Sequence, residues 1–122
     1  MKSKIYLAGG FKSKWQVIVN NHLSNKYILY DPSMHNIGNP SEYVQWDLAA
    51  IDQSDIVLAY MEASNPGGYA LALEIGYAKA LNKRIILVDE HSSKTRERYF
   101  EMVRYVSDKR FNTLDEAIRF LA

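Results

Sequence analysis

Glu74 is the residue of this sequence whose surroundings most favour chemistry. It lies in a segment of otherwise apolar and small residues: Leu71, Ala72, Leu73, Ile75, Gly76 and Ala78. Burial of a carboxylate costs free energy, whereas a position near a helix N-terminus favours its charged form. A buried, ionised carboxylate that faces a ligand crevice suits a nucleophile or a base. Alternatively, Glu74 lies on an exposed strip and pairs with Lys79 or Lys83. The glycine-rich stretch before it and the apolar residues on both sides favour the functional interpretation.

A second candidate is the stretch Gly9, Gly10, Phe11 and Lys12, which follows the first apolar run. Two glycines let backbone N–H groups approach a ligand closely, and the N-terminus of the following helix adds partial positive charge. With Lys12 and Lys14, the stretch suits a phosphate or a sugar hydroxyl. The fuller G-x-G-x-x-G fingerprint is absent, so an ordinary strand-helix turn with surface lysines is the alternative.

Asp47 is a third candidate because it shares an i, i+4 row with Tyr43 and Ile51, at the border of an apolar stripe. Asp55 opens a strand at the end opposite to the expected site, and we interpret it as a turn or cap residue.

The three histidines are not spaced as metal ligands. We expect His22 at the edge of the core, His35 in a polar loop where it contacts substrate, and His91 at the surface. There is no cysteine, so thiolate catalysis and Cys-ligated metals are excluded. We expect no metal and no cofactor.

Short apolar runs alternate with amphipathic segments along the chain. The predicted strands are Lys4–Ala8, Lys26–Tyr30, Asp55–Met61, Arg84–Glu90 and a short one at Arg110–Phe111. The predicted helices are Trp15–Leu23, one opened by Pro40, Tyr69–Asn82 (buried on more than one side), one around Tyr99–Val106, and one capped by Thr113 and Glu116.

This alternation predicts an α/β fold, in which a parallel sheet of about five strands has helices on both faces. We expect residues 1–122 to form a single flavodoxin-like or Rossmann-like, doubly wound domain. Ligands of such sheets bind beyond the carboxyl ends of the strands. This rule selects the loops 9–14, 31–39 and 62–68, of which 31–39 is the best candidate for a mobile loop.

Length and charge limit the function further. A chain of 122 residues is too short for two independent cores. Fifteen Lys and Arg against fourteen Asp and Glu leave a net charge of +1, which argues against a nucleic acid polymer as partner. No apolar stretch is long enough to span a bilayer, and the start does not have the pattern of a signal peptide. We therefore expect no membrane association and a cytoplasmic location.

Three stretches resemble the nucleoside 2-deoxyribosyltransferase family and its relatives, the deoxynucleotide N-hydrolases. They are IYLAGGF, WDLAAIDQSDIVLAY and GGYALALEIGYAKALNKRIILV, which together extend from about Lys4 to Val88. The resemblance implies that a glutamate attacks the anomeric carbon of a (deoxy)ribonucleoside and displaces the base. The resulting glycosyl-enzyme intermediate is then captured by another base or by water.

By this resemblance, Glu74 corresponds to the nucleophile, Asp47 to the residue that handles the proton of the leaving base, and Tyr6 to a tyrosine that orients the nucleophile. The scheme is that of a retaining glycosidase. An anionic Glu74 would stabilise the oxocarbenium-like transition state, and protonation through Asp47 would improve the leaving group. The expected substrate-binding residues are Gly9, Gly10, Phe11, Lys12, Asn65, Gly67, Gly68 and Met102.

Two positions depart from the family pattern. Gly68 stands where the family has an Asp or Ser that touches the substrate, and Ser64 or Asn65 is a possible replacement. The family's transferases complete the site with residues of a neighbouring subunit, so the resemblance implies a homo-oligomer. In the matching segment, Tyr99 to Met102, the family's asparagine is not evident, although Met102 fits a neighbouring position.

The leading hypothesis is a transferase that acts on a nucleoside or nucleotide and passes the sugar to a free nucleobase. Lys12 keeps open a hydrolase of nucleoside 5′-monophosphates, whose relatives carry a basic residue at this place. The fragment PGGYALALE also resembles the PGGxGTxxE motif of cytokinin-activating phosphoribohydrolases, but Ala70 and Leu71 replace its Gly-Thr pair. An alternative of another class is a non-catalytic nucleotide sensor, in which Glu74 would only bind a ribose hydroxyl.

Overall fold

The computed structural model describes residues 2–64, 68–90 and 98–122, in which strands and helices alternate. The strands are β1 (Ser3–Gly9), β2 (Tyr27–Tyr30), β3 (Ile56–Met61), β4 (Arg84–Asp89) and β5 (Lys109–Phe111). The helices are α1 (Trp15–Leu23), α2 (Pro40–Gln53), α3 (Gly68–Ala80), α4 (Glu101–Val106) and α5 (Leu114–Leu121), with short 3-10 turns at Pro32–Met34 and Arg98–Phe100. The predicted α/β class and order of elements are confirmed.

All five strands run parallel in one sheet, in the spatial order β2-β1-β3-β4-β5. This is the flavodoxin-like order, in which the winding direction reverses between β1 and β3. The carboxyl ends of these two strands, where Gly9 pairs with Tyr60, form the topological switch point. Ligands of open α/β sheets bind there, so the site is expected beside Gly9.

The core has two layers, one on each face of the sheet, because successive side chains of a strand point to opposite faces. Ile5 and Leu7 of β1 pack with α1 and α5. Tyr6 and Ala8 pack on the other face, with α2, α3 and α4. This alternation places the Tyr6 side chain on the face that also carries α2 and α3.

Local sequence signals fix the starts of two helices. Pro40 is the first residue of α2, and the side chain of Asn39 accepts a hydrogen bond from the Ser41 N–H at 2.9 Å. Thr113 caps α5 by accepting from the Glu116 N–H at 3.2 Å. The Asn39 cap matters for the site because it fixes where α2 begins, and thereby fixes the position of Asp47 on this helix.

Asp55 has the structural role that the sequence predicts. Its carboxylate accepts a hydrogen bond from the Lys4 backbone N–H at 2.9 Å, at the amino ends of β1 and β3. This position is at the opposite edge of the sheet from the switch point.

One prediction about burial is wrong, and a second is only partly correct. His22 is exposed, and its Nδ1 lies 2.9 Å from the Ile18 carbonyl oxygen, because the buried face of α1 is formed by Trp15, Val19 and Leu23. Helix α3 is fully buried on one side only. Leu71, Ile75 and Ala78 face the sheet, whereas on the second apolar side Leu73 and Ala80 are exposed and Tyr77 and Leu81 are half-buried.

Within the described ranges, no helix is both long and apolar enough to cross a membrane.

Candidate active site

Tyr6 and Glu74 form the centre of the site. Tyr6 is fully buried on β1, and its hydroxyl donates a hydrogen bond to Oε2 of Glu74 on α3. Glu74 lies on the second turn of α3, a helix that packs on both β1 and β3. The sheet therefore fixes the phenol, and the phenol holds the carboxylate beside the switch point.

The environment gives these two groups different protonation states. Burial, reinforced by the neighbouring Glu74 carboxylate, raises the pKa of the Tyr6 hydroxyl far above its ordinary value, so the phenol remains a hydrogen-bond donor. Burial also raises the pKa of Glu74 to about 7, although the Tyr6 hydrogen bond opposes this shift and the nearby Asp47 adds to it. Glu74 therefore changes charge near neutral pH, as a nucleophile or base at the centre of a reaction can.

Asp47 faces the same site from α2. Its Oδ1 lies 3.3 Å from Nε2 of His35, which follows the 3-10 turn after β2. Burial raises the pKa of Asp47, and the hydrogen bond from His35 partly lowers it again. A raised pKa favours a protonated carboxyl, which can donate a proton to a leaving group.

These side chains meet in one cavity of about 340 Å³. Its lining residues are Tyr6, Gly9, Phe11, Pro32, His35, Ile37, Tyr43, Asp47, Ala70 and Glu74. The volume lies within the range of small-molecule sites. The cavity thus brings together two carboxyl groups, two phenols and an imidazole beside the carboxyl end of β1.

Gly9 is required by close packing in this loop. Its φ is +156°, and a Cβ at this position would lie 3.0 Å from the Trp15 ring and 3.0 Å from the Tyr60 carbonyl oxygen. Gly10 is held by its carbonyl oxygen, which accepts from Trp15 Nε1 at 2.9 Å and from Gln16 Nε2 at 3.0 Å. These two hydrogen bonds fix the backbone just before Phe11, which lines the cavity.

Of the remaining predicted binding residues, those that the structure describes are not part of the cavity wall. Lys12 is exposed one residue after Phe11. Gly68 is the first residue of α3, with φ +58° and open space where a Cβ would be. Met102 is 80% exposed on α4. Asn65 and Gly67, together with His91, lie outside the described residues.

Four cavity residues were not among the predicted site residues. Tyr43 and Ala70 had a usable signal, since each lies four residues before a predicted catalytic residue, Asp47 and Glu74 respectively. Pro32 and Ile37 lie in the selected loop 31–39, but nothing marked them individually, because the path of an irregular loop is not encoded in periodicity.

Over the described part of the chain, no group of three or more acidic or histidine side chains could hold a metal ion.

The fold and the site define a class: a flavodoxin-like α/β domain with two carboxyl groups at its switch point. The family model described as nucleoside 2-deoxyribosyltransferase like matches residues 2–92. The chain belongs to this family, as the sequence motifs predicted. Among curated proteins, none matches this chain in sequence.

Two solved structures share the fold. A 2-desoxiribosyltransferase from Leishmania mexicana superposes with a TM-score of 0.76 at 14% identity, covering 97% of this chain and 95% of the other. The Clostridium botulinum CMP N-glycosidase BcmB superposes with a TM-score of 0.67 at 23% identity, covering 98% of each chain. The predicted class, an enzyme that acts on N-glycosidic bonds, is confirmed at the level of the family.

Proposed function

We propose that residues 1–122 act as one catalytic domain that cleaves the N-glycosidic bond of a (deoxy)nucleoside and transfers the sugar to another base. The observation that carries this proposal is the convergence of Tyr6, Asp47 and Glu74 on one cavity at the switch point. A nucleophile and a proton donor that serve the same anomeric centre are what double displacement at a glycosidic carbon requires.

In the first step, the ionised carboxylate of Glu74 attacks the anomeric carbon while the bond from that carbon to the base nitrogen breaks. The electron pair of this bond stays on the base, and the protonated carboxyl of Asp47 donates its proton there. A glycosyl ester of Glu74 and a free base result. Tyr6 holds the attacking oxygens through its hydrogen bond to Oε2.

The second step reverses the first with a new base. Its nitrogen attacks the anomeric carbon, the ester bond to Glu74 breaks, and the nitrogen's proton passes to Asp47. The free site thus needs one proton on its two carboxyl groups. The mutual repulsion of the two charges raises the pKa of Glu74 and favours one proton on the pair. The form that reacts is the one in which this proton lies on Asp47 and Glu74 is ionised.

A second candidate function is hydrolysis of a nucleoside 5′-monophosphate, in which water replaces the acceptor base. The observation that favours it is the exposed Lys12, which directly follows a residue of the cavity wall. A lysine at that position can pair with a phosphate outside the cavity. The fold neighbour named as a CMP N-glycosidase is consistent with this alternative.

We further propose that the protein acts as a homo-oligomer. Five large apolar side chains on or beside α3 and α4 are exposed by 62% or more: Tyr69, Leu73, Tyr99, Met102 and Tyr105. The two helices pack against each other, and we propose that the five form one apolar surface, which we call the α3/α4 face. Monomeric soluble proteins rarely expose a contiguous apolar patch of this kind. The family's transferases complete the site with residues of a neighbouring subunit, and Met102 lies in the matching segment of this chain.

The proposed function is tested by incubating the protein with 2′-deoxynucleosides or their 5′-monophosphates, with and without a second free base. A new nucleoside that appears only with the added base supports the transferase. Free base in both conditions, with sugar or sugar phosphate, supports the hydrolase. Binding without any product would identify a sensor and contradict both enzymes. Glu74→Gln is the inactive control, and Glu42→Gln, at an exposed glutamate of α2, is its matched partner.

A further inference from the structure

We propose that His35 is a positioning residue for Asp47, and that it holds one oxygen of that carboxyl so that the other oxygen faces the leaving base. This inference rests on the proposed function, because it assigns to Asp47 the proton that the base receives. It adds a fourth side chain, which lies on a loop, to the predicted set of Tyr6, Asp47 and Glu74.

The hydrogen bonds of His35 fix its tautomer. The backbone N–H of Ile37 lies 3.1 Å from Nδ1. A peptide N–H can only donate, so Nδ1 accepts this bond and carries no proton. A neutral imidazole has one ring proton, which is therefore on Nε2. The Nε2–H group then donates to Oδ1 of Asp47 at 3.3 Å.

The surroundings keep the ring in this orientation. The 3-10 turn before it is capped by Asp31, whose Oδ1 accepts from the Ser33 N–H at 2.9 Å. The imidazole also packs edge-on against Trp46, with ring centroids 4.7 Å apart. Trp46 directly precedes Asp47 on α2, so the ring is held against the same helix turn that carries the carboxyl.

The hydrogen bond from His35 gives the two oxygens of the Asp47 carboxyl group different roles. Oδ1 accepts from His35, and the other oxygen is left to carry the proton that passes to the base nitrogen. When Asp47 gives up this proton it becomes a carboxylate, and the bond from Nε2–H becomes a stronger, charge-assisted one. The imidazole keeps its own proton throughout. His35 therefore stabilises the site more after proton transfer than before it, and so acts in the transition state.

The test compares two leaving groups. An ordinary purine deoxynucleoside needs a proton on its base, whereas a 7-methylpurine nucleoside already carries a positive charge and leaves without one. We expect His35→Phe to lower kcat/KM by about 10- to 100-fold with the first substrate and to leave the second nearly unchanged. His35→Gln, whose terminal amide can still donate, should restore most of the loss. His22→Phe, at the exposed histidine of α1, is the matched control.

An equal loss on both substrates would overturn the proposal, because it would mean that His35 serves the sugar or the fold. Unchanged activity of His35→Phe on both substrates would overturn it as well. Either result leaves the proposed function standing, provided that Asp47→Asn still shows the difference between the two leaving groups. Absence of base release by the wild-type protein would instead contradict the proposed function, and with it the role of His35.

A measurement on the free protein checks the same geometry without turnover. Nitrogen-15 NMR of the imidazoles, with His35 assigned from the His35→Gln spectrum, should show a proton on Nε2 and none on Nδ1. Asp47→Asn should move the Nε2 signal, and Glu42→Gln should not. A proton on Nδ1, or an Nε2 signal indifferent to Asp47, would overturn the proposal.

Discussion

The phenol of Tyr6, on the first strand, donates a hydrogen bond to the carboxylate of Glu74, which lies 68 positions later on α3. The donor is fully buried, and the acceptor faces the cavity at the switch point of the sheet. One bond thus connects the scaffold to the group that we propose as nucleophile. It also opposes the effect of burial on the charge of Glu74.

Two substitutions beside Glu74 should move the pH dependence in opposite directions. Because the pKa of Glu74 is raised to about 7 and the nucleophile must be ionised, kcat/KM should rise with pH through that region. Tyr6→Phe removes a bond that lowers this pKa, so the rise should move to higher pH. Asp47→Asn removes a negative charge that raises it, so the rise should move to lower pH.

This experiment is best done with the 7-methylpurine nucleoside, which does not need the proton of Asp47. The exposed substitution Glu42→Gln serves as the control and should leave the profile in place. Shifts of both site variants in the same direction would contradict the assignment of the titrating group to Glu74.

Glu74 should cost the protein stability at neutral and higher pH. Its ordinary pKa of 4.5 becomes about 7 in the folded state, so the folded protein holds a proton that the unfolded chain releases between these values. The stability associated with that proton is present below pH 4.5 and is lost as the pH rises through about 7. Glu74→Gln should therefore raise the free energy of unfolding at pH 8 by up to about 3 kcal/mol.

Denaturant unfolding at pH 8 and at pH 4.5 measures this difference, which should disappear at the lower pH. Glu42→Gln separates it from the general effect of removing one negative charge. If Glu74→Gln is no more stable than the wild type at pH 8, the carboxylate is not penalised by its surroundings.

Lys12→Ala separates nucleotide substrates from nucleosides. If Lys12 pairs with a 5′-phosphate, its loss should raise the KM of a nucleoside 5′-monophosphate about tenfold and leave that of the nucleoside nearly unchanged. Lys79→Ala is the matched control, because it removes the same charge from an exposed lysine near the C-terminal end of α3. Equal effects of Lys12→Ala on both substrates would remove the phosphate role.

Leu73→Lys should break the proposed oligomer. Leu73 is 62% exposed on the α3/α4 face, so a charge there would be buried only if two copies met. Sedimentation should show a smaller species, and kcat should fall because we propose that the segment around Met102 completes the site of the neighbouring copy. Ile18→Lys, at a 47% exposed position of α1 on the opposite side of the sheet, should keep the wild-type size. A monomeric wild-type protein would contradict this prediction.

The sequence predicted the fold because its apolar runs report directly which segments are buried strands. The position of Tyr6 follows from the alternation along β1, and Glu74 stands out as an acid in an apolar helix. The same patterns do not reveal what covers an apolar face. For this reason Leu73 was expected to be buried within the chain, and His22 was placed at the core edge although the helix turns it outward.

Irregular segments were the least predictable part of the site. His35 was expected in a polar loop as a contact of the substrate, but its hydrogen bond with Asp47 was not expected, because this contact depends on the course of the turn after β2. Ile37 lies in the selected loop 31–39, but nothing marked it individually, and its hydrogen bond to His35 is made by its backbone N–H. Such contacts are set by the three-dimensional path of the chain and not by residue type.

The most direct test of the account is to trap the glycosyl ester of Glu74. A nucleoside with fluorine at C2′ destabilises the oxocarbenium-like transition states and slows the breakdown of the intermediate. After incubation with it, the wild-type protein should gain the mass of the fluorinated sugar, on the peptide that contains Glu74. Glu74→Gln should gain nothing, and Glu42→Gln should behave like the wild type. Base release by the wild type with the added mass on another residue, or equal base release by Glu74→Gln, would contradict the claim that Glu74 is the nucleophile.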